Sequence, residues 1–170
     1  TLPREPSRLR VGVWRQLKKA GAVSLAQAMW VLPDREDLRE VLEVLKGEIA
    51  AGGGEALVMR VSVDEDTKRD FVARFGAACD EEYAEFLEQS ADFLKEIAKE
   101  TARRNFSFAE IEEKEADLDK LSAWLKKIQA RDFFAASLQK QSSEKLEECT
   151  IALEAFCRAV YQNSKDLQQE

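Results

Sequence analysis

The side chains best suited to chemistry in this chain are basic, and they crowd its start. Arg4, Arg8, Arg10, Arg15, Lys18 and Lys19 stand against Glu5 alone in residues 1–21, a local net charge of +5. Arg8, Arg15 and Lys19 recur near one face of a helix, Lys18 lies beside them, and Arg10 points elsewhere. Such residues neutralise backbone phosphate or hold an oxyanion, Arg through a planar donor fork. They equally suit the solvated outer face of an amphipathic helix, so a binding surface and a merely soluble one compete for the same residues.

Other chemistries find less support. The chain has no histidine, which removes the commonest general base, proton shuttle and metal ligand, and Ser–His and Cys–His nucleophiles with it. Cys149 and Cys157 lie about 12 Å apart along one predicted helix, too far to bridge or share a metal. Cys79 and Cys149 fall on apolar stripes and read as core thiols. Three cysteines without regular spacing suit a reducing, cytoplasmic compartment. Glu110, Glu113 and Asp117 share a helical face, as do Glu112, Glu115 and Asp119. Carboxylate-bridged metals in bundles normally use Glu-x-x-His pairs, so these read as solvated faces. The glycines at 52–54 end a helix rather than open one, so they cradle no phosphate. A second basic set, Arg103 and Arg104 with Lys126, Lys127 and Arg131, complements helix C-termini. Antiparallel helices would put its two halves at opposite ends. No metal, cofactor or catalytic constellation is expected, and the chain reads as a non-enzyme.

These side chains must be positioned by elements that the pattern of apolar residues sets. At 170 residues with 45% hydrophobic composition, a packed core is possible. The 35% charged content suits long amphipathic helices. Net charge is −7 overall, but +2 over residues 1–60 and −9 over 61–170. No apolar run approaches the ~18 residues of a membrane span, and no signal-peptide pattern or initiator Met is present. The start reads as trimmed or incomplete.

Thr1-Leu2-Pro3 reads as the tail of an extended segment. Pro6-Ser7 then punctuates, with Ser7 as cap of a helix over 8–20 whose apolar face is Leu9, Val13, Leu17 and Ala20. Gly21 suits the position just past its end. "AVSLAQAMWVLP" predicts one bent strand or two short ones. Asp34 is placed to cap a helix over 35–51 with apolar positions Leu38, Val41, Leu42, Leu45 and Ile49. "EALVMRVSV", 55–63, is β-branched and partly alternating, so it reads as a further strand. Residues 1–63 thus predict a small α+β, (β)αβαβ domain.

Residues 64–170 predict a second domain, an antiparallel bundle of long helices. Phe71, Phe75, Cys79, Phe86, Phe93 and Ile97 mark the first helix. Ser107 with Glu110 forms a capping box, and Phe106 with Ile111 a hydrophobic staple. Ile111, Leu118, Leu121, Leu125 and Ile128 mark the second helix. Asp132 is placed to cap a third carrying Phe134, Leu138, Leu146, Cys149, Leu153, Phe156 and Val160. Trp14 and Trp30 are expected to pack the first helix on the sheet, although Trp14 departs from the apolar face and leaves an interface role open.

"LPREPSRLRVGVWRQLKKAGAVSLAQAMWVLP", "EFLEQSADFLKEIAKE", "NFSFAEIEEKEADLDKLSAWLKKIQARDFF" and "CTIALEAFCRAVY" resemble, in order, the N-terminal domain of ChrB-type chromate-resistance proteins. The arginine-rich first segment and "WVLP" are the most specific parts. The resemblance implies a ferredoxin-like first domain, similar to that of the phenylacetate repressor PaaX and of small CRISPR-adaptation nucleases. It implies chromate-responsive transcriptional regulation, with operator DNA and chromate or a similar oxyanion as partners. Carried over, Arg8, Arg10, Arg15, Lys18 and Lys19 become the DNA- or oxyanion-contacting residues. Two departures stand out. Longer family members carry a further C-terminal domain, and members place an apolar strand, with a metal-binding Asp in the nucleases, before "LPREP". Little of that strand stands here, so nothing supports a nuclease. A homodimer is expected, with no membrane partner. The alternative is a helical protein-interaction module that binds no DNA.

Overall fold

The computed structural model describes residues 7–166. The expectations for residues 1–6, and for the capping side chain of Ser7, lie outside what is described. The elements in chain order are α1 (Ser7–Lys19), β1 (Val23–Ala26), β2 (Met29–Val31), α2 (Glu36–Ala51), α3 (Glu65–Arg103), α4 (Phe108–Gln129) and α5 (Gln139–Asp166). The described residues are thus mostly helical, with a single two-stranded antiparallel sheet. They form two compact units. One holds the residues up to Ala78 with Arg131–Phe134, the other Cys79–Ala130 with the residues from Ala135 onward. No helix among the described residues is long and apolar enough to cross a membrane.

In the first unit, the apolar stripe of α1 decides the packing. Val13 and Leu17 are buried together with Leu45 and Ile49 of α2 and with Ala22. Leu9, Trp30, Val41 and Leu42 close the edges of this cluster. Burying an aliphatic side chain of this size stabilises by about 1.5–3 kcal/mol. α1 stops at Gly21, whose φ of 79° ends it in the left-handed region. There the Gly21 N–H donates to Lys18 O (3.0 Å) and the Ala22 N–H to Leu17 O (2.9 Å). A side chain at Gly21 would be strained, and its Cβ would lie 2.9 Å from Phe133 Cε2. The uncharged stretch after it folds as two short strands, paired Val23 to Val31 and Ser24 to Trp30. Ala28, at φ 61°, makes the turn between them.

Two expectations fail in this unit. The strand over 55–63 does not form. A strand exists only with a ladder partner, and among the described residues the sheet holds β1 and β2 alone. Leu57, Met59 and Val61 therefore stay exposed; β-branched alternation reports a preference that pairing must realise. Nor does Asp34 cap α2. The position before the helix is Arg35, with no side-chain cap bond. Asp34 instead accepts two hydrogen bonds from Arg60 (2.8 and 3.1 Å) and faces Arg39 at 3.6 Å. Glu36 and Asp37 already supply negative charge to the first turn of α2.

Cross-helix pairs give the second unit its directions. Phe86 meets Trp124 edge to face at 5.7 Å, and Glu96 meets Lys114 at 2.8 Å, so α3 and α4 run antiparallel. Gln129 donates to Ser143 (3.1 Å), while Phe108 meets Tyr161 at 5.4 Å, so α4 and α5 are antiparallel too. The core draws on Tyr83, Phe86, Phe93 and Ile97, on Ile111, Leu121, Leu125 and Ile128, and on Cys149, Leu153, Phe156 and Val160. At the start of α4 the Glu110 N–H donates to Ser107 Oγ (3.2 Å), and the Glu110 carboxylate accepts from Asn105 Nδ2 (3.0 Å). Phe106 and Ile111 join the same core.

α5 starts at Gln139, later than a cap at Asp132 requires. Asp80, on α3, takes the capping role: its carboxylate accepts from the Leu138 N–H (2.9 Å) and the Ser137 hydroxyl (2.7 Å). The freed Phe133 and Phe134 pack against Phe75 in the first unit, at 6.0 and 5.4 Å.

Three polar residues occupy core positions of the helical stripes: Ser90, Lys114 and Ser142, at 0%, 3% and 0% exposure. Burial pulls the Lys114 ammonium down, but its hydrogen bonds to Glu96 (2.8 Å) and Glu113 (3.2 Å) outweigh that and hold it above the ordinary lysine range. Lys114 in turn holds the Glu96 carboxyl below its ordinary range. The raised lysine stabilises fully below its unfolded value near 10.5 and loses this as pH rises through its folded value. The lowered glutamate stabilises above its unfolded value near 4.5 and loses this in acid.

Lys114→Met, which keeps the buried stem and removes the charge, is expected to leave stability unchanged or raised in urea unfolding. Lys114→Ala, which removes the stem as well, should cost about 2 kcal/mol. Gly21→Ala should cost more than about 1 kcal/mol, through strain at positive φ and the clash with Phe133.

Candidate anion-binding site

With its apolar stripe turned to α2, α1 exposes Arg8, Arg10, Val11, Trp14, Arg15, Lys18 and Lys19. All five cations singled out in the sequence lie on this side. They fall on two neighbouring ridges of i, i+4, i+8 spacing. One is Arg10–Trp14–Lys18 and the other Val11–Arg15–Lys19, with Arg8 one turn before Val11. Arg10, which the sequence set apart, thus shares a ridge with Lys18. None of the five forms an ion pair among the described residues. Arg35, Arg39, Lys46 and Arg60 of the same unit each face a carboxylate within 3.6 Å. The first turn of α1 carries no acidic residue, and its last turn holds Lys18 and Lys19. Among the described residues this leaves a positive surface of the kind that raises the local concentration of anions.

Trp14 departs from the expectation that both tryptophans pack on the sheet. Trp30 lines the core, whereas Trp14 is 51% exposed and Val11 beside it 43%. An open groove of about 360 Å³ runs along the α1–α2 edge, lined by Arg8, Leu9, Gly12, Val13, Glu48 and Gly52. Its lining holds one cation, Arg8, and one carboxylate, Glu48, which accepts from Gln16 Nε2 at 2.7 Å. A small dianion there would meet repulsion, so the chemistry favours an extended polyanion lying across the ridges over an oxyanion in a pocket.

The other sequence candidates do not converge. Arg103 faces Glu100 at 3.7 Å at the end of α3, while Lys126 and Lys127 lie in the last turn of α4. The 22 residues of α4 span about 33 Å, so the two sets share no site. On the acidic faces Glu113 is engaged by Lys114 and Asp117 by Lys120 (2.9 Å). Among the described residues no group of three or more His, Cys, Asp or Glu is placed to hold a metal.

The three cysteines form no disulfide with one another; Cys79 and Cys149 are buried and Cys157 half-buried. Burial pushes the Cys149 thiol up to about 11, and it donates to Ser90 O at 3.5 Å. Burial likewise raises Cys157, with Glu115 adding to the effect. Nucleophilic or redox chemistry requires thiolate, which these surroundings suppress.

The family model described as "Protein ChrB, N-terminal" matches residues 10–167. The chain belongs to the ChrB N-terminal family. The match opens on Arg10 and takes in Trp14, Arg15, Lys18 and Lys19, and it runs through the whole of α2 to α5. No curated protein and no solved structure matches the chain.

Alkylation at pH 8 should separate the thiols from reactive ones. Cys149 is expected to react about a hundred-fold more slowly in the folded protein than a free thiol, from its depleted thiolate. Mass spectrometry of native and denatured protein would check this.

Proposed function

We propose that the protein is a non-enzymatic regulatory module of chromate resistance, acting on operator DNA through the exposed cations of α1. Membership in the ChrB N-terminal family relates the chain to chromate resistance. The observation that carries the DNA-contact reading is that Arg8, Arg10, Arg15, Lys18 and Lys19 all face solvent on one side of α1, without carboxylate partners among the described residues. In this reading chromate or a similar oxyanion competes for the same cations, the protein works in the cytoplasm, and it acts as a homodimer. The ferredoxin-like reading of the first unit belongs here as well, supported by the order α1–β1–β2–α2.

A second reading has its own support. Residues 61–170 carry −9, and Phe108 with Tyr161 forms an edge-to-face pair left about half exposed. A helical module that docks on a protein partner or a second copy, with no nucleic acid, would use such a surface.

Gel-shift titration of the Arg8→Ala/Arg15→Ala variant on duplex DNA decides between them. The variant should bind more weakly, and the slope of log K against log salt should fall by about 2, since each phosphate contact contributes ~0.9. Its melting temperature should not change, because both residues are exposed. Unchanged binding would remove the basic face from the account, and no binding by the unsubstituted protein would favour the interaction module.

A further inference from the structure

Phosphate contact uses the cations of α1 and leaves Trp14 unexplained. Trp30 and Trp124 pack against the two cores, but Trp14 keeps half of a large apolar ring in water. Its position is specific. Arg10 and Lys18 lie one turn to either side on its own ridge, with Val11 and Arg15 on the next.

Three partner chemistries use aromatic rings beside cations. A lipid surface needs a continuous apolar stripe to insert, and the apolar stripe of α1 is buried against α2. A duplex offers phosphates and base edges that arginines such as Arg10 and Arg15 suit, but its bases are stacked on one another and present no flat face to Trp14. A single strand offers what this face can take. Its phosphates suit the exposed cations, and its unstacked bases present flat π-faces to an aromatic ring.

We propose that Trp14 stacks on an unpaired base and that the exposed face of α1 binds a single-stranded polynucleotide, its phosphates on Arg10, Arg15 and Lys18. This rests on the reading of α1 as a nucleic-acid contact. It adds that the preferred form has open bases, such as a melted stretch of duplex. DNA and RNA share this chemistry.

The test titrates the protein with oligo(dT), oligo(U) and a duplex of equal length, for the unsubstituted chain, Trp14→Ala, Trp14→Phe and Arg10→Ala/Arg15→Ala/Lys18→Ala. Trp14→Ala should lose roughly tenfold in affinity for one or both single strands and less than about twofold for the duplex. Trp14→Phe should retain most of the affinity while removing the fluorescence quenching that oligo(dT) or oligo(U) causes in the unsubstituted protein. A loss on oligo(dT) alone assigns DNA, and on oligo(U) alone RNA. Single-strand binding by Trp14→Ala equal to the unsubstituted protein overturns the stacking role. So does an equal loss on duplex, or a Trp14-dependent dimer in sedimentation. If the triple variant loses binding to every form while Trp14→Ala loses none, the DNA-contact reading survives and this inference fails. If the unsubstituted protein binds no nucleic acid, both fail.

Discussion

Burial of one stripe of α1 against α2 decides what the first unit presents to solvent. Val13 and Leu17 lie under Leu45 and Ile49, and Leu9 lies against Gly52, where a side chain would collide with it. A 13-residue helix is marginal alone in water, so this contact also holds α1 helical. Once the stripe is buried, the remaining positions have one place to go. Five cations, Val11 and Trp14 are turned to solvent by the same packing that stabilises the unit. The helix that carries the positive face is therefore fixed by its own packing against α2.

The second unit has a different physical character. Its three helices form a core interrupted by Ser90, Lys114 and Ser142 at buried positions. Lys114 resolves its burial by reaching two carboxylates, which ties α4 to α3 at one register. Asp80 does similar work at the other end, where its carboxylate binds the backbone entering α5. Charged groups here fix alignment between helices, and the acidic surface that remains does not invite nucleic acid. The two units thus divide the charge of the chain between them.

Much of this was legible in the sequence where the cause is local. The stripes of α1 and α2, the glycine that ends α1, and Ser107 at the start of α4 all act within one or two turns, and the structure contains them. The failures are non-local. Residues 55–63 have the composition of a strand, but a ladder partner is a property of the fold, and none is present among the described residues. Asp132 and Asp34 are competent caps by type, yet Asp80 serves α5 from 58 residues away and Arg60 takes Asp34. The missing members of the helical stripes were invisible because their types are polar. At the candidate site, the basic residues and their helix were readable from spacing. That Arg10 and Lys18 flank an exposed Trp14 was not, since it depends on which face α2 covers.

Chromate is a tetrahedral dianion, and DNA is a chain of phosphate monoanions, so one set of exposed guanidinium and ammonium groups suits both. Competition between them needs no second pocket and no large motion, only a shared positive face. The most direct measurement is retention of the protein on DNA from the upstream region of its own operon, across a salt series, with and without chromate. Retention is predicted to fall steeply with salt and to be released by chromate and by equimolar sulfate alike, since an open positive face does not tell one tetrahedral dianion from the other. Absence of retention at every salt concentration, or retention indifferent to both salt and chromate, would contradict it.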